Sequence, residues 1–525
     1  MPPDDLITAM MEPGFYGRSQ RVEFRETHIS RVFLAGDYVY KIKKRLSFSF
    51  LDYSTLEQRY HFCQEEVRLN RRLAPRVYLG VFAIRRRDGC FAIDPEPAQQ
   101  FDPHAAEYAV KMRRLPDDCS LERLIAGGQA TSDQMRRIAV LLARFHAAAG
   151  REHSYEYGSA QAIERGVAGN FEECRPFAGD EIGQREYSFI GNFNRAFIGR
   201  HRELLDRRAR AGWVREGHGD LRSEHICITD GIEIIDCVEF SEKLRYGDVA
   251  SDLGFLLMDL DRLRAPALGQ IVLREYVAET ADHDLSRLLN FYKCYRAMVR
   301  GKVGALKATE AEVAPAQKSK AREAARTAFA AAYHYAKAGS PALIVLCGLP
   351  ASGKSTVAQA LAERSGFALF NSDVVRKRMA GIAPAERAAS GWGEGIYRRE
   401  FTAATYAALA DAAAQNLRTG NGVIIDATYK DLDQRLRLRD LAQQTGVPIV
   451  FAECVISEDQ ARRRLAARAT QPGHVSDATW ETYVQHQRAF APFDAGFGGC
   501  HLRVDGAREA ADNAFDIERF IADHY

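Results

Sequence analysis

Hydrophobic and polar positions follow two different periods in the first third of the chain. Around a turn at 35–37, the segment 28–44 alternates with a period of two and is rich in β-branched and aromatic residues, which predicts two strands. The spacing becomes helical from Thr55 to Leu73 and strand-like again over 77–93, where Asp88-Gly89 marks a hairpin tip. The first third therefore alternates strand-like and helix-like elements.

Helical spacing dominates after one more predicted strand at 106–115. Residues 133–150 and 182–210 have a helical period, and 249–340 is almost wholly helical and increasingly rich in alanine. The segment 217–240 interrupts this run, because its pattern is that of a loop followed by two short strands around a turn. We therefore expect a mainly helical second part with one short hairpin in it.

A new pattern begins after residue 340. The apolar run PALIVLCG predicts a buried parallel strand, and further apolar runs alternate with long helices. The predicted strands lie at 342–347, 367–370, 422–427, 449–456 and 501–504. Because this spacing is typical of a parallel α/β sheet, we predict two domains, 1–340 and 341–525.

Composition and charge narrow the class of protein. The chain has 525 residues, of which 46% are hydrophobic and 27% charged, as is usual for folded globular domains. Its net charge of +2 lacks the basic excess of proteins that live on nucleic acid. We expect no DNA partner, although this balance is compatible with a local basic groove.

The cysteines and the first residues favour the cytoplasm. Ten cysteines are scattered without a CxxC pair, which predicts reduced, buried thiols rather than a disulfide framework or a zinc site. The start lacks a basic segment followed by a long apolar one, and no window approaches about 18 consecutive apolar residues. We expect a cytoplasmic protein with no membrane partner.

One motif carries phosphate-binding chemistry. The pattern GxxxxGK(S/T) follows an apolar strand and opens a helix, over Gly348, Leu349, Pro350, Ala351, Ser352, Gly353, Lys354, Ser355 and Thr356. Its glycines let successive backbone N–H groups curl around a phosphate, and the helix adds its positive end. We expect Lys354 to bridge the β- and γ-phosphates of ATP and the Ser355 hydroxyl to reach Mg²⁺.

Other polar side chains follow the strands of the same half. Asp426 ends an apolar strand, where a carboxylate can hold the water shell of Mg²⁺. Asp373 ends the second strand and could accept a proton from an attacking hydroxyl, and either aspartate could instead cap a helix. Arg464 and Arg468 share one helical face, and they could clamp transferred phosphates or form a solvated basic face.

These motifs together resemble a known group of enzymes. GLPASGKST, NSD, IDAT and RRRLAAR followed by SDATWE are similar to the P-loop small kinases, which include gluconate kinase, polynucleotide 5′-kinase and zeta toxins. The resemblance covers about residues 341–525. It implies that Asp373 lies at the acceptor hydroxyl and that Arg464 and Arg468 belong to a lid over ATP.

The segment 217–240 resembles a second kinase group. The triplet His218-Gly219-Asp220, followed after a hairpin by Asp236, is similar to the catalytic core of aminoglycoside phosphotransferases and their protein-kinase relatives. The resemblance covers about residues 25–300 and implies that Asp220 orients and deprotonates an acceptor hydroxyl while Asp236 holds Mg²⁺. His225 stands where the family has a metal-binding asparagine; imidazole can ligate a metal but prefers softer ions than Mg²⁺.

The second resemblance also requires a strand lysine that grips phosphates and a helix glutamate that positions it. Lys41 and Lys43 share one face of a predicted strand, and both are candidates, with Lys41 preferred. Glu65 and Glu66 on the next helix are the candidate partners, and the sequence does not choose between them. Lys43 could also belong to a solvated strand edge.

The whole chain is similar to bacterial fusions of an aminoglycoside-phosphotransferase-like domain with a P-loop kinase domain. The resemblance implies a bilobal α+β kinase-like domain followed by an α/β P-loop domain, with ATP and Mg²⁺ as cofactors and two nucleotide sites. The predicted function is transfer of the γ-phosphate of ATP to a hydroxyl of an unidentified acceptor, a small molecule being favoured over an RNA end. Two alternatives stay open: a pseudokinase-like N-terminal domain that regulates a P-loop kinase, or an enzyme like polynucleotide kinases and zeta toxins that acts on RNA or a nucleotide sugar.

Overall fold

The computed structural model of this protein describes most of its chain. The described residues are 4–17, 21–48, 51–151, 156–310, 313–383, 386, 394–469, 478–497 and 499–524.

Six strands form an antiparallel sheet in the first part of the chain, in the spatial order β1-β2-β3-β8-β6-β7. In chain order the strands are β1 (Glu23–Glu26), β2 (Ser30–Ala35), β3 (Tyr38–Lys43), the small pair β4 (Ser47–Phe48) and β5 (Leu51–Asp52), β6 (Tyr78–Arg87), β7 (Cys90–Ile93) and β8 (Glu107–Arg113). The predicted hairpins are confirmed. Gly36 turns between β2 and β3 with φ 60°, a left-handed conformation that glycine adopts without strain.

Helices α1 (Asp4–Met11) and α2 (Leu56–Asn70) pack against this sheet, and further helices continue the chain after it. The further helices are α3 (Leu121–Ala126), α4 (Ser132–Ala148), α5 (Ala160–Cys174), α6 (Gln184–Arg200), α7 (Arg202–Arg210), α8 (Glu242–Arg245), α9 (Val249–Arg262) and α10 (Pro266–Thr280). Four short strands pair as β9 (Val214–Glu216) with β12 (Tyr246–Asp248) and β10 (Ile226–Ile228) with β11 (Ile232–Ile234).

Helix α2 is fixed in place by its cap and by its apolar face. Thr55 and Gln58 form a capping box that satisfies the first free N–H groups of the helix. Its buried residues Cys63 and Val67 pack with Tyr108 and other side chains of one sheet face. This packing places Glu66 of α2 beside strand β3.

A five-stranded parallel sheet forms the core of the last part of the chain, in the order β14-β15-β13-β16-β17. Its strands are β13 (Leu343–Cys347), β14 (Ala368–Asn371), β15 (Val423–Asp426), β16 (Ile449–Val455) and β17 (His501–Asp505). Each predicted strand of this half is present, with bounds within a residue or two of the expected ones. Their continuous apolar runs are explained by burial of both sheet faces.

The helices of this part are α11 (Leu285–Thr309), α12 (Pro315–Ala338), α13 (Lys354–Ser365), α14 (Ser372–Met379), α15 (Arg399–Arg418), α16 (Leu432–Thr445), α17 (Glu458–Ala469), α18 (Trp480–Ala489) and α19 (Ala510–His524). One sheet face packs on α13 and α19, and the other packs on α15 and α16. Short 3₁₀ turns lie at Pro13–Tyr16, Arg175–Phe177, Ser223–His225, Gly395–Tyr397 and Ala495–Phe497.

The chain divides into two compact units. The first comprises residues up to 173 and 195–282, and the second comprises 174–194 and 283–525. Helices α11 and α12 belong to the second unit because they pack against each other and against α13 and α19. The two fold classes are as predicted, whereas the domain boundary at 340 stays a prediction.

The cysteines depart from the expectation of reduced thiols at one pair. Cys119 and Cys227 are joined as a disulfide with Cα atoms 5.0 Å apart, so the prediction is wrong for these two residues. The other eight cysteines are free, and all of these except Cys90 are buried.

Over the ranges described, no helix has the length and apolar character needed to cross a membrane.

Candidate active sites

The phosphate loop lies between β13 and α13. Gly348 has φ 122°, and a Cβ atom there would approach the carbonyl oxygen of Cys454 to 2.5 Å, so only glycine fits. Gly353 has φ 97° and precedes the first turn of α13. The loop therefore turns its backbone around the helix N-terminus, as the motif predicts. Ser355 and Thr356 are exposed there.

Lys354 lies among the polar groups expected around it. Its ammonium donates a hydrogen bond to the Leu349 carbonyl at 2.7 Å. Burial lowers the pKa of Lys354, and the nearby carboxylates of Asp426 and Asp373 oppose this effect. We call Lys354, Ser355, Asp373 and Asp426 the C-terminal site. The structure brings the lysine and both aspartates into electrostatic contact.

Asn371 links the two aspartates of the C-terminal site. Its amide nitrogen donates to Asp426 Oδ2 at 2.6 Å, and its side-chain oxygen accepts the N–H groups of Asp373 and Val374 at 2.9 and 3.0 Å. Asn371 is therefore the N-cap of α14, the role that had been the alternative for Asp373. Asp426 is buried at the end of β15.

Cations converge on the C-terminal site from several elements. Burial lowers the pKa of His486 to about 3, and the charges of Lys430, Lys354 and Arg376 add to this effect. Arg376 lies one turn after Asp373 and donates to the Ile396 carbonyl at 2.8 Å and to Thr402 Oγ1 at 3.0 Å. Its buried Nε has no hydrogen-bond partner. Such a cluster favours an anionic ligand.

Arg464 contacts the phosphate loop. Its guanidinium donates to the Ala351 carbonyl at 3.1 Å and to the Gly506 carbonyl at 2.9 Å. The side chain of Arg468, the second arginine of this helical face, lies outside the described part of the chain. The role of both arginines over ATP stays a prediction.

Lys41 and Glu66 meet at a second site in the first unit. Lys41 Nζ lies 2.9 Å from Glu66 Oε1 and 3.0 Å from Asp236 Oδ1. The charge of Lys41 lowers the pKa of Asp236 well below its usual range. Asp236 also has φ 65°, a rare backbone conformation for a residue other than glycine that is often found at active sites. We call Lys41, Asp220, His225 and Asp236 the N-terminal site.

The structure distinguishes the pairs that the sequence leaves open. Lys43 has a fully buried side chain that contacts Glu66 and Glu239, so it does not form a solvated edge. Glu65 instead pairs with Arg68 on the surface of α2, at 2.8 Å. Glu66 is thus the glutamate that faces both lysines.

A buried carboxylate binds the backbone of the loop that contains the HGD triplet. Asp252 accepts the backbone N–H groups of His218 and Gly219 at 2.6 and 3.0 Å. The His218 Nε2–H donates to the Ile235 carbonyl at 3.0 Å, and Nδ1 accepts the Asp220 N–H at 3.3 Å. Both ring nitrogens are therefore used by a neutral imidazole, and burial lowers the pKa of His218 to about 4.

An arginine that the sequence interpretation missed joins the two key side chains of this loop. Arg222 Nη2 lies 3.0 Å from Asp220 Oδ2 and donates to His225 Nε2 at 3.2 Å. The His225 Nδ1–H donates to the Asp220 carbonyl at 2.9 Å. His225 Nε2 therefore presents its lone pair toward Arg222 and lies 3.7 Å from Asp236 Oδ2. The spacing of Arg222, two residues after Asp220 in a short loop, could have indicated it.

The donor atoms at both sites suit a divalent ion. In the N-terminal site, two ligand atoms 3.7 Å apart can both lie at about 2.1 Å from one ion. The C-terminal site offers a carboxylate and a hydroxyl, which are oxygen donors of the kind that Mg²⁺ prefers. Among the residues described, no group of three or more His, Cys, Asp or Glu side chains is arranged to hold a metal.

Two family models match this chain. The one described as a phosphotransferase enzyme family matches residues 63–288, and the one described as an AAA domain matches residues 343–493. Together with the two folds, these matches define the protein as a phosphotransferase enzyme with a P-loop kinase domain.

This chain is also similar to several whole proteins and solved structures. Three uncharacterized proteins, one from Mycobacterium bovis and two from strains of Mycobacterium tuberculosis, are 32% identical over 503 residues, which is 95% of this chain and of theirs. The chain belongs to the same family as these mycobacterial proteins. A gluconokinase from Sinorhizobium meliloti (21% identity, 35% of this chain, 93% of that chain, TM-score 0.26) and a choline/ethanolamine kinase family protein from Mesorhizobium loti (13%, 64%, 99%, 0.39) are similar solved structures.

Proposed function

We propose that this protein has two separate sites that each bind ATP with Mg²⁺ and transfer its γ-phosphate to a hydroxyl acceptor. The observation that carries the proposal is the contact of Lys41 with Glu66 and with Asp236, which is 195 residues away in the sequence. The second unit has its own lysine and carboxylates in Lys354, Asp373 and Asp426.

In the N-terminal site, Lys41 binds the phosphates of ATP while Glu66 keeps its ammonium in place. Asp220 accepts the proton of the acceptor hydroxyl, and Arg222 beside it offers positive charge to the transferred phosphoryl group. Asp236 and His225 would hold the metal, whose chemistry is to neutralise phosphate charge. The cationic side chains are thus assigned to the phosphates, and the aspartates are assigned to the proton and the metal.

In the C-terminal site, the N–H groups of the loop and Lys354 bind the β- and γ-phosphates. Asp373 accepts the acceptor proton from its place in the first turn of α14. Ser355 and Asp426 would hold Mg²⁺, and Asn371 orients the carboxylate of Asp426 by its hydrogen bond of 2.6 Å. Arg464, and Arg468 on the same helix, would close over the nucleotide.

The number of nucleotides bound per chain tests the two-site proposal. Titration calorimetry with Mg²⁺ and a non-hydrolysable ATP analogue is expected to give two equivalents for the wild type, and one each for Lys354→Ala and Asp236→Ala. Lys307→Ala, at an exposed lysine of α11, is the matched control and keeps both. A single wild-type site retained in Asp236→Ala would make the first unit a nucleotide-free binding module.

A specific observation favours an acceptor that carries an anion near its hydroxyl. Arg376 lies one turn after Asp373, and its buried Nε is without a hydrogen-bond partner. An RNA end or a nucleotide sugar has such an anion, whereas a neutral sugar does not. Competition between a 5′-hydroxyl oligoribonucleotide, a nucleotide sugar and glucose, a neutral sugar, for label from γ-labelled ATP separates these classes.

The acceptor itself is found by transfer. Incubating the chain with γ-labelled ATP and fractions of a cell extract identifies the fraction that takes up label. Lys354→Ala and Asp220→Asn then assign each labelled product to one of the two sites. Label that persists in the double variant would contradict both site assignments.

A further inference from the structure

A second lysine is buried behind the N-terminal site. The side chain of Lys43 is 0% exposed, and its ammonium lies 2.8 Å from Glu66 Oε2 and also contacts Glu239 Oε1. The Tyr53 hydroxyl donates to the same Glu239 oxygen at 2.8 Å. We call Lys43, Glu66 and Glu239 the buried bridge. It joins strand β3, helix α2 and the segment three residues after Asp236.

The bridge divides one carboxylate between two lysines. Glu66 Oε1 lies 2.9 Å from Lys41, and Glu66 Oε2 lies 2.8 Å from Lys43. Because the carboxylate is planar, a fixed Oε2 also fixes the direction in which Oε1 points. Lys41 has a second partner in Asp236, so Glu66 is the anchor that remains when Asp236 turns to another cation.

Stability alone does not account for this arrangement. Burial acts to lower the pKa of Lys43, yet the carboxylates of Glu239 and Glu66 raise it well above its usual value, so Lys43 stays charged. Buried ion pairs can often be replaced by apolar residues of similar volume without loss of stability. A buried lysine between two glutamates is therefore better explained by the orientation that it imposes on Glu66.

We propose that Lys43 and Glu239 are positioning residues of the N-terminal site, which act through Glu66 to hold Lys41 toward the phosphates of ATP. This inference rests on the proposed function of that site. It differs from the sequence expectation that Lys43 is a candidate to contact the nucleotide, because the Lys43 side chain is fully buried and its ammonium contacts the carboxylates of Glu66 and Glu239.

The test uses the full chain with Lys354→Ala, so that binding reports the N-terminal site alone. The double substitution Lys43→Met/Glu239→Met removes both charges and keeps the volume. We expect the Kd for ATP to rise about tenfold, as for the loss of a hydrogen bond to a charged group. The matched control is Arg59→Met/Glu107→Met, which removes another buried pair between α2 and the same sheet, at 2.9 Å, and leaves the Kd unchanged.

Combining the double substitution with Lys41→Met distinguishes a positioning role from a merely structural one. If the bridge acts through Lys41, adding the double substitution to Lys41→Met weakens ATP binding no further. Additive losses, or an unchanged Kd in the double variant, would overturn the inference. If the double variant does not fold, as judged by circular dichroism, Glu239→Gln with the same cycle replaces it.

Failure of the proposed function gives a different result. If the Lys354→Ala chain binds no ATP while the bridge is intact, the N-terminal nucleotide site does not exist, and the inference falls with it. If that chain binds ATP and only the cycle with Lys41→Met is additive, the nucleotide site stands and the positioning role is wrong.

Discussion

The two phosphate sites of this protein are built in opposite ways. In the C-terminal site, the loop 348–356 supplies backbone N–H groups, the lysine and the hydroxyl from adjacent positions. In the N-terminal site, Lys41 and Asp236 are 195 residues apart and meet only because β3, α2 and the hairpin β10–β11 pack around them. The C-terminal site is formed mainly by one continuous loop, whereas the N-terminal site forms only when distant elements pack together.

The difference has a chemical consequence. A loop binds phosphate with N–H groups that carry no net charge, so it needs few compensating carboxylates. The N-terminal site binds with side chains instead, and Lys41 and Lys43 are buried against Glu66, Asp236 and Glu239. Charges in such a network depend on one another, so single substitutions there should be less independent than in the loop.

The largest expected effect comes from removing each candidate base. Asp220→Asn and Asp373→Asn should each lower phosphate transfer at their own site about 10³-fold, because an amide cannot accept the proton of the acceptor hydroxyl. ATP affinity should remain close to that of the wild type. Single-turnover transfer from γ-labelled ATP measures the effect. Loss of transfer at both sites in either variant would contradict two independent sites.

A pH effect on stability is expected from a buried histidine at each site, His218 in the N-terminal motif and His486 near Lys354, and substitution of His218 isolates the first contribution. The pKa of His218 is lowered to about 4, below that of an exposed histidine, so the unfolded chain takes up the proton first. Stability is then full above pH ~6.5 and is lost as the pH falls toward 4, by up to about 3 kcal/mol. Urea unfolding of the wild type should show this loss, and His218→Asn should show a smaller one. Equal slopes in the two proteins would refute it.

Arg222 tests how strongly side chains in the N-terminal site depend on one another. Arg222→Ala frees His225 Nε2, which now accepts a hydrogen bond from the guanidinium at 3.2 Å. Mn²⁺ affinity should rise about tenfold, because the lone pair is available to the metal and a nearby cation is gone. Arg210→Ala, at an exposed arginine of α7, is the control. Isothermal titration in the Lys354→Ala chain provides the measurement, and a fall in affinity would be the opposite result.

The smallest effect is expected for the ligand at the asparagine position. His225→Asn should retain or raise Mg²⁺-supported transfer by a few-fold and reduce the preference for Mn²⁺, since an amide oxygen is a harder ligand than imidazole. The ratio of transfer rates with the two ions is the readout. A ratio that does not change would show that His225 serves only its hydrogen bond of 2.9 Å to the Asp220 carbonyl.

The sequence by itself determined the elements that depend on local pattern. The parallel α/β class, the hairpin at Gly36 and the parallel strands beginning with β13 follow from periodicity, because the spacing of apolar residues indicates which faces are buried. The kinase-like α+β class follows instead from the resemblance carried by the HGD motif. The phosphate loop is equally local, since its glycines and lysine are neighbours in the chain. The disulfide of Cys119 and Cys227 and the exposed Cys90 departed from the composition-based expectation of reduced, buried thiols.

Tertiary structure alone decided which of two adjacent residues in the sequence contributes to a site. Glu65 and Glu66 have the same charge and adjoin in α2, so only the rotation of that helix against β3 could direct Glu66 to Lys41 and Glu65 to the surface. Glu239 was invisible for the same reason, because its partners Lys43 and Tyr53 come from other elements. Contacts between distant side chains depend on packing geometry, which apolar spacing specifies only to the level of a buried face.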